Sequence, residues 1–484
     1  MKRKYFNITL VLTALIFISS CTKDWEEMNT DPNNPTDGPM TNLLANAIAT
    51  TGLSFYDSWN QMNSSLSYAG HITKIAYIDE ARYNFRPGVL ETDFRNYYYI
   101  QQDLLKVIGK AQATENKYAE AAALTLSVYN WQQAVDKWGD IPYSEALTAE
   151  TEANLTPAYD DAAAIYADLL TKLEYANTLF NSPPSALNVL GAGDFLYGND
   201  ADKWQKFCNA LHLRLAIRTQ NVAELNKVLA APATYPLFND NSEEAKLHWP
   251  GVAPYKEPWA NDNDGRDDHG MAKTFIDMML ALADPRLPVY AEKTSAGIYN
   301  GAPEGAPNNA FNVNDISRIG TKYRNDYAGY SYFLRFSEQE FIKAEAYLLA
   351  GNASAAKAAY ESGVAASFEE TGMTSSLAAY MTKAEVAWDN NTVYNNKTKI
   401  WLQKWIALFK QGQELWAENR RTDFPVMPAA IGSVFSGHNR QPFREPYPNN
   451  EFTLNGASIA PAAAGIVDYY WGKQLFWDKR TGVN

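Results

Sequence analysis

Phe341-Ile342-Lys343-Ala344-Glu345-Ala346-Tyr347 runs on to Gly351, and Ala355 and Tyr360 follow. Apolar positions return every three or four residues over 337–350, break at Gly351-Asn352 and resume over 353–366, the pattern of two helices joined by a tight turn. Small side chains on facing positions let such a pair approach closely. A second segment has the same form: Ala122, Leu126, Tyr129 and Ala134 precede Trp138-Gly139-Asp140, and Ser144-Glu145-Ala146-Leu147 comes after. In Trp138-Gly139-Asp140-Ile141-Pro142 a glycine that tolerates a left-handed backbone is followed by a proline that cannot continue a helix, so the block is a helix stop.

The two segments resemble tetratricopeptide-type repeats but stand more than two hundred residues apart, which predicts a scaffold of helical pairs and no continuous solenoid. Helical spacing extends over 95–112, 117–137, 159–180, 202–220 and 398–418. In the last of these, Trp401, Trp405, Leu408, Phe409, Leu415 and Trp416 form a core stripe, and Arg420 and Arg421 beyond it are placed to satisfy the helix's free carbonyls. Strands are scarce. The stretches 231–270, 294–333 and 425–465 are rich in Gly, Pro and Asn and too long for mere connectors, and long loops on a rigid frame usually carry function.

The chain has 484 residues, 46% hydrophobic and 13% aromatic, enough to bury a large core. Lys2, Arg3 and Lys4 precede an apolar run from Ile8 to Ile18 that is shorter than the roughly 20 residues a membrane-spanning helix needs. This is an export signal. The run ends in Ile18-Ser19-Ser20-Cys21, which resembles the lipobox of bacterial lipoproteins and marks residues 1–20 as a signal peptide and Cys21 as the acylated N-terminus. Residues 21–40, with Pro32, Pro35 and Pro39, then form an extended tether. Loss of 1–20 removes three positive charges and no negative one, so a net charge of −13 becomes −16, and nucleic acid is excluded as a partner. Cys208 would be the one cysteine left, so no intrachain disulfide is expected.

No phosphate-binding G-x-x-x-x-G-K-[ST] loop, H-E-x-x-H pair or G-x-S-x-G elbow occurs, and the five histidines are scattered. The chain is expected to be no enzyme, with His212 a hydrogen-bonded core residue and Cys208 no nucleophile. The acidic loop 261–268 offers oxygen ligands from Asp262, Asp264 and Asp268 for a structural calcium. It is no EF-hand: with Gly265 at the sixth position, Ala260 and Met271 fall where carboxylates are required. The expected state is no cofactor.

Several blocks, taken in order, resemble the SusD/RagB nutrient-binding lipoproteins of the outer membrane. They are Asn29-Thr30-Asp31-Pro32-Asn33; Trp138-Gly139-Asp140-Ile141-Pro142-Tyr143; Trp204 leading to Leu213-Arg214-Leu215-Ala216-Ile217-Arg218; Asp284-Pro285-Arg286-Leu287; Phe341 to Ala346; Ile400 through Gln403-Lys404-Trp405 to Trp416 and Arg420-Arg421-Thr422-Asp423-Phe424-Pro425; Arg444 with Pro446-Tyr447-Pro448; and Lys473 to Trp477-Asp478. The resemblance implies an all-α, SusD-like fold over 41–484, with four tetratricopeptide-like helix pairs and loop-rich insertions at about 231–333 and 425–465 packed on them. It also implies a surface-exposed lipoprotein, held to outer-membrane lipid through Cys21, that captures an oligosaccharide or a peptide for a SusC-like TonB-dependent barrel. The alternative is an assembly lipoprotein whose main partner is the barrel itself.

Sugars present apolar ring faces with hydroxyls at the rim, so their receptors place exposed aromatics beside polar side chains. Three stretches have that content: Tyr77 to Phe85 with Arg82 and Tyr83; Trp249 to Asp262 with Tyr255 and Trp259; and Tyr323 to Tyr332 with Tyr327 and Tyr330. The family's motifs do not fix its sugar contacts, so these candidates rest on composition alone.

Overall fold

Polar side chains accepting the first free backbone N–H groups define where the long helices start. In the computed structural model, which describes residues 38–484 except 308 and 392, α1 spans Met40–Ser54 and α2 Pro87–Ala113. Asn116 caps α3 (Lys117–Trp138), Asp161 caps α4 (Ala162–Phe180), and Asp200 caps α5 (Ala201–Arg218). Two shorter helices follow, α6 (Val222–Ala230) and α7 (Lys273–Ala281). Then come α8 (Phe336–Leu349) and α9 (Ala353–Thr371), the latter capped by Asn352, and finally α10 (Asn396–Ala407) and α11 (Gly412–Thr422). α3 stops at Trp138 because Gly139 takes a φ of 78°, as the block predicts. Four helix pairs result: α2 with α3, α4 with α5, α8 with α9, and α10 with α11.

The expected helix over 398–418 is two helices. The chain breaks between Ala407 and Gly412, where Lys410 has a φ of 71° and its buried ammonium meets Glu257 at 2.8 Å. Apolar spacing continues through the break, and Leu408 and Phe409 remain in the core, so periodicity alone cannot show it. α1, α6 and α7 also lie outside the expected segments.

Charged side chains tie the pairs together in the interior. Arg214 of α5 grips Glu338 of α8 through two bonds of 2.7 Å, and Arg218 reaches Glu414 at 2.6 Å and Glu418 at 2.5 Å, both on α11. Arg421 binds Glu345 of α8 and Glu418, while Lys404 of α10 sits 2.8 Å from Glu418. Arg420 stacks 3.7 Å from the Trp416 ring and donates to the carbonyls of Phe443 and Asp136. It satisfies a carbonyl at the end of α3 and, within its own helix, reaches only the Trp416 carbonyl one turn back at 3.3 Å, while Arg421 pairs with carboxylates, so the last free carbonyls of α11 are not their partners as expected. The C-terminal block docks on the same frame: Trp477 Nε1 donates to Asp136 at 3.0 Å and Lys473 pairs with Asp140 at 2.7 Å.

Among the described residues, three two-stranded antiparallel ladders staple the loops. β1 (Ile72–Lys74) pairs with β5 (His269–Met271), β2 (Ile141–Pro142) with β3 (Tyr159–Asp160), and β4 (Ala245–His248) with β6 (Tyr330–Leu334). A second aromatic core, with Tyr83, Trp259, Phe275, Trp405, Phe409, Trp416 and Trp471, packs the β1–β5 ladder on α10 and α11, while Ile141, Ala245, Leu247, Phe333 and Leu334 of the other two ladders pack in the main core of the helix pairs. His212 is buried and bonds Glu224 at 2.8 Å, and burial lowers its pKa. Burial also pushes the Cys208 thiol up to about 12, which removes it as a thiolate nucleophile. Cys21 and residues 22–37 of the expected tether lie outside the described residues, and its last residue, Met40, already belongs to α1.

Candidate functional site

After α1 the segment Ser58–Ser65 winds as a π-helix, an unusual form that often marks functional positions. Two carboxylates hold its start. Asp57 accepts the Asn60 N–H at 2.7 Å, and Asp262, two hundred residues away, accepts the Ser58 N–H at 2.7 Å. Trp59 lies between the two anchored residues. The segment can sit there because α11 begins with a glycine: a Cβ on Gly412 would stand 2.6 Å from Ser65 Oγ and 2.9 Å from Leu66 Cγ. Gly412→Val is therefore expected to destabilise the protein by about 1–3 kcal/mol through overpacking, seen as a lowered unfolding midpoint in denaturant.

β1 and β5 bring the other half of the site alongside. Their register places Lys74 opposite His269. The result is a cavity of about 450 Å³ lined by Ser58, Trp59, Asn63, Lys74, Tyr77, Arg86, Asp262, Arg266, Asp268 and His269. Trp59 is 38% exposed and Tyr77 66%, so each offers ring surface. Tyr77 is held at a φ of 49°, a left-handed backbone that a tyrosine rarely adopts. The Arg266 guanidinium lies 5.8 Å from its ring centre, and the Arg86 guanidinium and the Lys74 ammonium lie 5.3 Å and 5.8 Å from that of Trp59. His269 bonds Asn63 at 2.7 Å; burial, with Lys74 and Arg266 adding to it, lowers it to about 3, so the ring is uncharged. Burial raises Asp262 against the Ser58 N–H, and desolvation raises Asp57 to about 7. Flat aromatic faces beside amide, carboxylate and guanidinium groups suit a ligand with apolar ring faces and hydroxyl edges.

Of the residues expected from sequence, Tyr77 and Asp262 line this cavity. Arg82 instead donates to the Gly432 carbonyl at 2.6 Å and straps a loop. Tyr83, Trp249 and Trp259 are corrected to core residues. Tyr83 accepts the Ala430 N–H at 2.7 Å among Tyr68, Tyr470 and Trp471, Trp249 donates to Ser331 at 2.9 Å, and Trp259 is fully buried against Phe409. Polar sequence around these rings signals a loop, but the rings themselves seal it to the helices. Tyr255 is exposed elsewhere, Tyr327 stacks under Lys256 at 4.3 Å, and Tyr330 packs on His248 at 4.9 Å; none of the three lines the cavity.

The calcium candidates do not converge. Asp262 serves Ser58, Asp264 faces Lys256 at 3.3 Å, and Asp268 holds Arg266; among the described residues no three His, Cys, Asp or Glu side chains form a metal-binding group. Trp59, Arg86 and Arg266 were not among the expected ligand contacts. Trp59 stands among polar residues in Asp57-Ser58-Trp59-Asn60-Gln61, a segment with no helical or strand period to single it out.

Comparison with known proteins agrees with this architecture. A SusD-like family model, described as starch-binding and associating with the outer membrane, matches residues 32–448. No curated protein matches the chain. A SusD homologue from Bacteroides thetaiotaomicron superposes with a TM-score of 0.76 at 23% identity, over 92% of this chain and all of that one. One from Bacteroides fragilis gives 0.77 at 20% identity over 92% and 100%. A chitin-binding SusD homolog from Flavobacterium johnsoniae gives 0.76 at 21% identity over 90% and 97%. With its helix pairs, loop layer and matched length, the chain belongs to the SusD-like family of outer-membrane-associated binding proteins, which are not enzymes.

Proposed function

We propose that this protein is a lipoprotein, anchored through Cys21 at the cell surface, that captures an oligosaccharide in the Trp59–Tyr77 cavity and passes it to a SusC-like TonB-dependent barrel. The observation that carries the reading is the pair of exposed rings at one polar cavity, built from loops that the helix pairs hold rigid. The chitin-binding relative supports sugar over peptide as the ligand class.

Calorimetric titration of the domain from residue 38 onward, with chito- and malto-oligosaccharides and then mixed peptides, tests the ligand class. Saturable heat with a sugar series is expected. Binding confined to peptides would replace the substrate class, and silence with both, while the full chain still co-purifies with a barrel, would favour the assembly role. Metabolic labelling with palmitate tests the anchor: label is expected on the full chain and lost in Cys21→Ala, which is released from the membrane fraction.

A further inference from the structure

The cations facing the cavity are already paired with carboxylates. Glu80 bridges Lys74 and Arg86, at 2.8 Å to each, through its two oxygens. Asp268 takes the Arg266 guanidinium through Nε at 2.9 Å and also through Nη2. Asp268 is nearly buried in the cavity wall and Glu80 nearly buried against Lys74 and Arg86, whereas Arg86 and Arg266 extend into solvent where a ligand would meet them. Asp262 adds a third carboxylate, spent on the Ser58 N–H, and His269 is uncharged. Three cations thus face three acids.

Taking the proposed sugar site as given, we infer that Glu80 and Asp268 are specificity residues that occupy its cations and so reserve it for uncharged oligosaccharides, rejecting uronate-containing and sulfated ones. A carboxylate or sulfate on the ligand would meet guanidiniums whose charge is already matched, and would lie beside Asp268 or Glu80. Like charges brought together at a partly desolvated site are a common means of rejecting the wrong partner. A neutral sugar leaves every pair intact and takes the outward-facing guanidinium edges as hydroxyl donors. The net charge of −13 opposes polyanions at longer range as well.

Asp268 can be tested without touching the ladder, because its backbone carbonyl, not its side chain, accepts the Ile75 and Ala76 N–H groups. The wild-type domain, Asp268→Asn and Trp59→Ala are applied to a glycan array holding neutral, uronate-containing and sulfated oligosaccharides. Wild-type binding confined to neutral glycans is expected. Asp268→Asn should gain uronate binding, at least tenfold in apparent affinity and weakening as salt rises. Wild-type binding to acidic glycans that Trp59→Ala abolishes would overturn the selectivity and leave the site standing. Binding of any class that Trp59→Ala leaves intact would remove the site itself, and an array blank for all three proteins would remove both. Should Asp268→Asn unfold, Glu80→Gln on the same array gives the same comparison through Arg86.

Discussion

Glu418→Ala is expected to cost about 3–5 kcal/mol of folding stability, a large part of the roughly 5–15 kcal/mol that holds a typical domain together. Glu418 is buried at the junction of three helix pairs. It accepts Arg218 at 2.5 Å, Arg421 at 2.9 and 2.8 Å, and lies 2.8 Å from Lys404. Burial alone would push its carboxyl up, but Arg421, Lys404 and Arg218 outweigh this and hold it well below the usual range. Removing it leaves Arg218 with Glu414 and the more distant Asp136, Arg421 with Glu345, and Lys404 without its carboxylate, all out of water. An uncompensated buried charge is far more costly than the pair is stabilising. Asp277→Ala is the matched control: its partner Lys273 lies one turn away at 2.6 Å, and both side chains are more than half exposed. That loss should stay below about 0.5 kcal/mol. Denaturant unfolding of both variants measures the contrast, and equal losses would show that the interior network contributes no more than a surface pair.

That network explains why the fold was legible in sequence while its organising contacts were not. The pairs α2/α3 and α8/α9 follow from apolar spacing, a polar cap and a glycine stop, all local signals. Arg214, Arg218, Arg420 and Arg421 are equally plain in sequence, yet Glu338, Glu414 and Glu418 reach Arg214 and Arg218 from other helices, as Glu345 reaches Arg421 and the Asp136 carbonyl Arg420, so these pairings have no local trace; Arg421 with Glu418, three residues apart on α11, is the local exception. Long apolar helices predict what is buried; they do not predict a buried arginine. The break at Lys410 escaped for the same reason, since it is set by Glu257 in a distant loop.

The candidate site was legible in part. Tyr77 and Asp262 were expected as aromatic or acidic residues in polar loops, and the structure sets them at one cavity through the β1–β5 ladder. Composition could not separate these from Tyr83, Trp249 and Trp259, because a ring that faces solvent and a ring that pins a loop to the core sit in the same kind of sequence. What separates them is where each ring's neighbours fold to. Trp59 was hidden by its own segment, whose π-helical winding has neither the 3.6-residue nor the two-residue period that marks a helix or a strand.

Trp59→Ala should weaken sugar binding by about 2 kcal/mol, or roughly thirtyfold in Kd, the loss expected when a stacked aromatic face is removed. Its effect on stability should be small, because the ring is partly in solvent and its backbone is held by Asp57 and Asp262 whatever the side chain. Trp249→Ala should do the opposite. That indole is buried with its N–H on Ser331, so its loss opens a cavity costing about 3–5 kcal/mol, while protein that remains folded should bind as before. Calorimetry and denaturant unfolding on the two variants give four numbers, and the reading requires them to cross: affinity lost with Trp59, stability lost with Trp249. If Trp59→Ala bound as tightly as wild type, the ligand would have to lie away from the π-helix. The rings to test next would then be Tyr255, Tyr327 and Tyr330, the expected contacts that do not line the cavity.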